Sequence, residues 1–409
     1  MRKPLQIIGV FAAALVLASA SGSAATSSVL ASRSPASAVK LPIVDANAYA
    51  ALAIDSLNTP YGTKGETGGS TMEALAARAF LSEPTNSKAV SALALSRQLA
   101  GDQLAARTLY ADALLLSPRE KIANLALIED ASNNGRIGFI LQRYNVLLRT
   151  GGMTSEALLD VMLTSLRERA ILPHIETILV DDPPWVRSFW IKAAVNDAAI
   201  ANVGRLRLRL LESGKANPAE NDADIIARLV GAGHYDIASA IFNKVSGSRR
   251  SGANVLRNGQ FERAPVLPPF DWATYSDARY GAEVDEGSGA LIIYTESPAD
   301  NLVARQLVTL PAGVYSVRGQ FPDPRNAAGT SLSLRLRCAS GGASAGATSS
   351  AKIGSTATSI DFAGGCKFAW VELWARRDTA PSGYATDIAL ESLTLVPAKR
   401  TAAPSPRTR

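Results

Sequence analysis

The sequence predicts a multidomain chain of two classes, an α-helical solenoid followed by an antiparallel β-sandwich of jelly-roll type. Three observations predict it. Residues 71–245 carry Ala, Leu and Arg at helical spacing. Residues 254–397 carry short alternating runs separated by turn residues, together with both cysteines of the chain. Between them, Ser246-Gly247-Ser248-Arg249-Arg250-Ser251-Gly252 has the composition of a linker, so 246–253 is taken as the junction.

A chain of 409 residues can build two cores. Apolar content of 47% and charged content of 19% suit a soluble globular protein. The net charge of +6 sits at the two ends: Arg2 and Lys3 at the start, and Lys399, Arg400, Arg407 and Arg409 at the finish. Without those six, the 42 basic residues fall to 36 and match the 36 acids. A nucleic-acid footprint needs a basic patch on a folded surface, so no nucleic-acid partner is expected.

Residues 1–25 have the pattern of a signal peptide. Arg2 and Lys3 precede the apolar run Leu5–Leu17, and Ala18-Ser19-Ala20 or Gly22-Ser23-Ala24 offers small residues for cleavage. The run is short of the roughly 20 residues of a membrane span. Membrane attachment then arises only if this segment stays as an uncleaved anchor. A periplasmic or secreted chain follows. Cys338 and Cys366 are expected to pair in that compartment, with two unpaired thiols as the other outcome.

Residues 26–70 are expected to be a flexible linker, with one short helix near Ala46–Leu57. Glu73–Leu81 is a strong helix former that stops at Pro84. Further helices span about Ser87–Ala100 and Gln103–Leu116, ending at Gly101 and at Ser117-Pro118. Pro84 and Pro118 are 34 residues apart, as are Tyr110 and Tyr144. Leu93, Ala94, Ala106, Tyr110, Ala113 and Pro118 resemble the packing positions of a tetratricopeptide repeat. Small residues there let two helices approach, the aromatic fills the groove and proline stops the second helix. The resemblance covers 71–245 and is degenerate: the usual first-helix Trp is absent, and Gly151-Gly152 stand where the next proline belongs. It implies a helical surface that docks a partner protein of the cell envelope.

Arg205, Arg207 and Arg209 spread over a wide arc of one helix and read as a solvated face above Leu206 and Leu210, or else as a contact for an acidic partner. Trp185, Phe189 and Trp190 read as a packed aromatic corner. Basic residues 398–409 form a tail expected to be disordered.

In the second half, strands are expected at Ala290–Thr295, Leu302–Leu310, Val314–Phe321, Ser331–Cys338, Ser359–Phe362, Lys367–Arg376 and Asp387–Val396. Turn signals stand at Asp323-Pro324-Arg325-Asn326 and Pro381-Ser382-Gly383. Asn258-Gly259-Gln260-Phe261-Glu262 with Pro269-Phe270-Asp271-Trp272, the run Arg305–Tyr315, and Tyr384–Leu390 resemble the opening, central hairpin and closing strand of a carbohydrate-binding-module-like sandwich of the galactose-binding-like type. The resemblance implies a structural calcium on Glu262 and Asp387, with Gln260 in place of the commoner acid.

Sugar binding needs an aromatic plate beside polar groups. Trp370, Glu372 and Trp374 alternate with Val371 and Leu373, which places the three along one face of a strand. Glu372 between the tryptophans implies a face that is not fully buried. The other reading is that both tryptophans lie under a loop or the helical part, with Glu372 as a rim charge.

His174 and His234 lie far apart without metal-ligand spacing, and no nucleophile–base or phosphate-cradling motif is present. Gly341–Gly346 lies between strands rather than before a helix. The expectation is a non-catalytic exported scaffold, its helical part on a protein and its sandwich binding or packing beside a glycan, in polysaccharide assembly or secretion. The rivals are a purely structural envelope scaffold and a glycan-active enzyme with unrecognised carboxylates.

Overall fold

A computed structural model describes residues 23, 25–41, 44–57, 68–150, 153–215, 221–247, 253–322, 329–339, 348–378 and 387–398. The signal segment apart from Ser23 and Ala25, most of the 246–253 junction, Gly341–Gly346, the turns at Asp323–Asn326 and Pro381–Gly383, Tyr384–Thr386 and the tail from 399 lie outside the described residues. The chain has a helical half and a β half, and it forms two compact units. One comprises residues 1–162 with 183–185, the other residues 163–182 with 186–409. The compact units therefore divide upstream of the change of sequence pattern, and the last helices belong with the strands.

The first unit contains α1 (residues 25–31), α2 (Pro35–Ala38), α3 (Ala46–Asp55), α4 (Gly68–Ser82), α5 (Ser87–Leu99), α6 (Gln103–Leu116), α7 (Lys121–Asn133), α8 (Ile137–Leu148) and most of α9 (Met153–Ser165). Consecutive helices from α3 to α8 pack on one another, and α5 also touches α3 and α7. Alternate helices α3, α5 and α7 thus share a side. The starts are capped locally: Asn86 accepts from Lys88 and Ala89 N–H, Asp102 from Ala105 N–H, and Glu120 from Ala123 N–H. Between α5 and α6, Ala94, Ala106 and Ala113 are buried and Tyr110 fills the space they leave. The Tyr110 hydroxyl donates to Gln98 Oε1 at 2.7 Å, and burial pushes its pKa well above the ordinary phenol value.

The described residues of 26–57 depart from the expected linker, and 58–67 lie outside the described residues. Tyr49, Ala50 and Ala53 of α3 are buried against Met72, Ala76 and Ala79 of α4, and Ala31, Ala38 and Ala48 form a further small cluster. The Ala-rich composition that reads as weakly ordered is here the means of close helix packing.

The helices of the second unit are α10 (Leu172–Leu179), α11 (Val186–Ala194), α12 (Ile200–Glu212), α13 (Asp222–Gly231) and α14 (Tyr235–Ser246). A Cβ at Gly204 of α12 would lie 2.8 Å from Leu229 and 2.9 Å from Ile237, so glycine permits the three-helix contact with α13 and α14. With α10 and α11 also against it, α12 has little free circumference. This corrects the solvated reading for Arg207, while Arg209 is exposed as that reading expects. Arg207 is 2% exposed and Asp222, its partner, 1%. The guanidinium donates to both carboxylate oxygens at 2.7 and 2.9 Å and lies over Trp190. Arg209 pairs with Glu176, and Arg205 donates to Asn202. Phe189 and Trp190 meet edge to face at 5.1 Å, while Trp185, in the first unit, donates its indole N–H to Asn145.

The strands are β1 (Ala273–Thr274), β2 (Tyr280–Asp285), β3 (Ala290–Thr295), β4 (Asn301–Thr309), β5 (Gly313–Gln320), β6 (Thr330–Cys338), β7 (Ser349–Lys352), β8 (Thr358–Phe362), β9 (Phe368–Arg377), β10 (Ile388–Leu390) and β11 (Ser392–Pro397). One layer is a five-stranded antiparallel sheet in the order β1-β4-β9-β6-β7. The other consists of β10-β3-β2 and β11-β5-β8, joined through the consecutive strands β10 and β11. Ile388 and Leu390 are buried before Glu391, and Leu393 and Leu395 after it. The parity change at Glu391 lets one expected strand serve both three-stranded pieces. The core lies between the layers, with Leu332, Leu334, Leu336, Val371 and Leu373 facing Leu291, Ile293, Val317, Ile360 and Leu395.

The opening segment closes this sandwich. Asn254 donates its amide N–H to Leu393 O and accepts from Leu395 N–H. A Cβ on Gly259 would lie 2.6 Å from Leu393 O, which excludes any larger residue without displacing the closing strand. Trp272 is fully buried and donates to Asn258 O. Cys338 and Cys366 form a disulfide, Cα to Cα 5.8 Å, across a separation of 28 residues. In β4 an extra residue at Val303 shifts the register, so that Ala304 opposes Leu373 on the core side and Arg305 opposes Glu372 on the outer side.

Candidate functional site

The outer side of the five-stranded sheet is itself layered. At one end, α14 lies on it. The rings of Tyr235 and Phe368 are 5.7 Å apart and those of Phe242 and Phe270 5.3 Å apart. The Tyr235 hydroxyl donates to Ala339 O at 2.7 Å, and Lys367 pairs with Asp236. A pocket of about 320 Å³ remains beside this contact, with Phe242, Arg257, Phe270 and Leu307 in its wall.

Beyond α14 the outward residues of β9 are Trp370, Glu372 and Trp374, brought together in one row as the alternation requires. Their exposure differs from the expectation of an open plate. Trp370 is 7% exposed and Glu372 5%, while Trp374 is half-buried. The cover is arginine. The Arg305 guanidinium lies 4.3 Å from the Trp370 ring centre and 5.5 Å from that of Tyr275. Arg335 lies 4.2 Å over Trp374. Arg337 donates to Glu372 Oε1 at 2.8 Å, and the Trp374 indole N–H donates to Glu372 Oε2 at 3.2 Å. The buried carboxylate is therefore compensated from two sides, which is how a charge sits between tryptophans without open solvent.

The arginines have unequal partners. Arg335 pairs with Asp300, and Arg376, farther along β9, with Asp378. Ser331 donates to Asp378, and this bond with the neighbouring cations holds the Asp378 carboxyl below the usual range. Arg305 pairs with no carboxylate among the described residues, and its buried Nε has no hydrogen-bond partner there. Sequence reasoning missed Arg305, Arg335 and Arg337 as part of the site. Ser333, Arg335 and Arg337 alternate in the sequence with Leu332, Leu334 and Leu336, which marks them as a polar face, but the register that sets them beside the tryptophans is not visible there.

Glu262 and Asp387 are both exposed. Among the described residues no group of three or more His, Cys, Asp or Glu is arranged to hold a metal. Among the described side chains no carboxylate-rich oxygen cage of the kind calcium favours is assembled. His174 is exposed at the start of α10, and His234 precedes α14.

In the first unit a groove of about 500 Å³ lies along α1 and α3 and the starts of α5 and α7. Ala50, Ala51 and Ile54 give it an apolar floor, and Lys88, Arg119 and Lys121 stand exposed at its wall. Glu120, also in the wall, is turned inward to Ser91 and Ala123 N–H. Among the described residues no helix is long and apolar enough to cross a membrane.

No family model matches the chain, and no curated protein matches it. The solved structures that are similar to it include two weak matches. One, described as "Functional Characterization of Pseudomonas Aeruginosa pilF", is 13% identical over 51% of this chain and 78% of that one, with a TM-score of 0.23. The other, described as "CBM4 structure and function", is 13% identical over 35% of this chain and 99% of that one, with a TM-score of 0.22. At such scores neither superposition bears on function.

Proposed function

We propose that this chain is a non-catalytic exported scaffold, which docks an envelope protein through its helical groove and binds a glycan on the outward face of its five-stranded sheet. The observation that carries the glycan role is the outward row Trp370, Glu372 and Trp374 with guanidinium groups on both sides. The apolar C–H face of a sugar packs on an indole, and the surrounding donors and acceptors take its hydroxyls. Trp374, the half-buried member, is the ring that offers surface. The groove with its apolar floor and cationic wall supports protein docking. The Cys338–Cys366 bond supports an oxidising compartment. Polysaccharide assembly or secretion suits these roles together, and no bond-making step is assigned to any residue.

Affinity electrophoresis of the full chain through gels carrying neutral and acidic polysaccharides tests the glycan role. Retardation by at least one polymer, weakened about tenfold by Trp374→Ala, is expected, a loss of about 1.4 kcal/mol. Migration unchanged by every polymer, or retardation indifferent to Trp374→Ala, rejects it. For the groove, capture of an envelope protein that disappears with Lys88→Glu and Lys121→Glu is expected; capture insensitive to both charges rejects it.

The near-complete burial of Trp370 and Glu372 favours a second role, in which the arginine-covered row only braces the sheet. That role predicts no polysaccharide binding and a loss of stability in Trp374→Ala.

A further inference from the structure

We propose that the glycan taken by this face is a carboxylate-bearing polysaccharide, and that Arg305 receives its carboxylate. The inference rests on the glycan role above and names the ligand class for it. Arg305 opposes Glu372 directly across the β4–β9 pair. The Glu372 carboxylate is nevertheless engaged by Arg337 and by the Trp374 indole. Arg305 lies against Trp370 and Tyr275 and forms no ion pair with a carboxylate among the described residues. The guanidinium rests against the two rings with its Nε buried, so the two terminal nitrogens form the donor fork that a carboxylate can take through two parallel hydrogen bonds.

A second cation repeats the arrangement. Arg335 opposes Glu372 from the β6 side and is stacked on Trp374. Two strand spacings separate Arg305 from Arg335, about 10 Å. Both side chains of the Arg335–Asp300 pair are partly exposed, so the pair is weak enough to exchange for a ligand carboxylate. Lys352 of β7 adds a further exposed cation on the same face, opposite Ser333. A neutral glycan would leave the Arg305 charge uncompensated against the tryptophan layer. A polymer with acid groups along its length compensates it while its rings meet Trp374.

The full chain is run through gels containing polygalacturonate, carboxyl-reduced polygalacturonate or a neutral β-glucan, and its binding to polyglutamate is measured by calorimetry. Expected are retardation by polygalacturonate at least about tenfold stronger than by its reduced form, and loss of about tenfold in Arg305→Gln. Arg305→Lys does not restore binding, because a point charge lacks the fork. Melting curves for both variants matching the parent confirm that they are folded. Independently of any variant, the polygalacturonate interaction weakens severalfold as sodium chloride rises. Equal binding of the acidic and neutral polymers, or retardation indifferent to salt, overturns the inference and leaves the glycan role standing. Polyglutamate bound as tightly as polygalacturonate overturns it in favour of an acidic polypeptide. Binding of no polysaccharide overturns both.

Discussion

Asp222→Asn is expected to destabilise the second unit by about 3 kcal/mol, and Asp222→Ala by about 5 kcal/mol. Arg207 and Asp222 are 2% and 1% exposed and joined by two charge-assisted bonds of 2.7 and 2.9 Å. Removing the carboxylate leaves a buried cation, and breaking such pairs costs about 3–5 kcal/mol. Asparagine keeps one acceptor oxygen and takes the lower end of that range. Alanine keeps none and takes the upper end. For a body of this size each kcal/mol moves the melting temperature by about 2–4 °C, so Asp222→Asn should lower it by roughly 6–12 °C. Differential scanning calorimetry is the assay, with the transitions of the two units fitted separately. Joint replacement Arg207→Met with Asp222→Leu should fall within about 2 kcal/mol of the parent, since no charge is then stranded. A loss below about 1 kcal/mol in Asp222→Ala would refute the reasoning. It would mean that the Arg207 charge is compensated by water or by another group once Asp222 is gone.

Other outcomes follow from single contacts. Cys338→Ser with Cys366→Ser should cost about 3.6 kcal/mol on the chain-entropy estimate for a separation of 28 residues, read by urea denaturation; a cost under about 1 kcal/mol would contradict a constrained denatured state. Tyr110 has its pKa raised by burial, so its contribution is intact below the ordinary phenol pKa of 10.0 and is lost as pH rises past it. Above that pH the first unit should melt progressively lower, and Tyr110→Phe should flatten the decline; an unchanged slope would place the ionisation elsewhere. Calcium should leave the melting temperature unmoved, because among the described residues neither Glu262 nor Asp387 belongs to a group of three or more His, Cys, Asp or Glu placed to hold a metal. A calcium-dependent rise abolished by Glu262→Gln and Asp387→Asn would reveal a cage completed by backbone oxygens.

Much of the fold was legible because periodicity is local. The helices at Ser87–Leu99 and Gln103–Leu116 and the strand at Ala290–Thr295 stand where their patterns put them. The short strands β1, β2 and β7 were missed. Tyr280–Asp285 owes its place to β3 beside it, and Ser349–Lys352 carries little apolar character of its own. Helix α3 was legible but its packing was not, because alanine contacts leave no strong hydrophobic signal. The fate of Arg207 depended on Asp222, fifteen positions away and across a helix contact. In the candidate site, the row Trp370, Glu372 and Trp374 was visible as alternation. Its cover was not, since Arg305 and Arg335 arrive from two other strands whose register is a tertiary property.

The most direct measurement of the central claim uses the five tryptophan indole N–H signals of the full chain. Assigned by single Trp→Phe variants, they are followed during titration with polygalacturonate. The account predicts that the signals of Trp370 and Trp374 move together and saturate, while those of Trp185, Trp190 and Trp272 stay in place. Saturating binding that leaves Trp370 and Trp374 unmoved, or no binding at all, would contradict it.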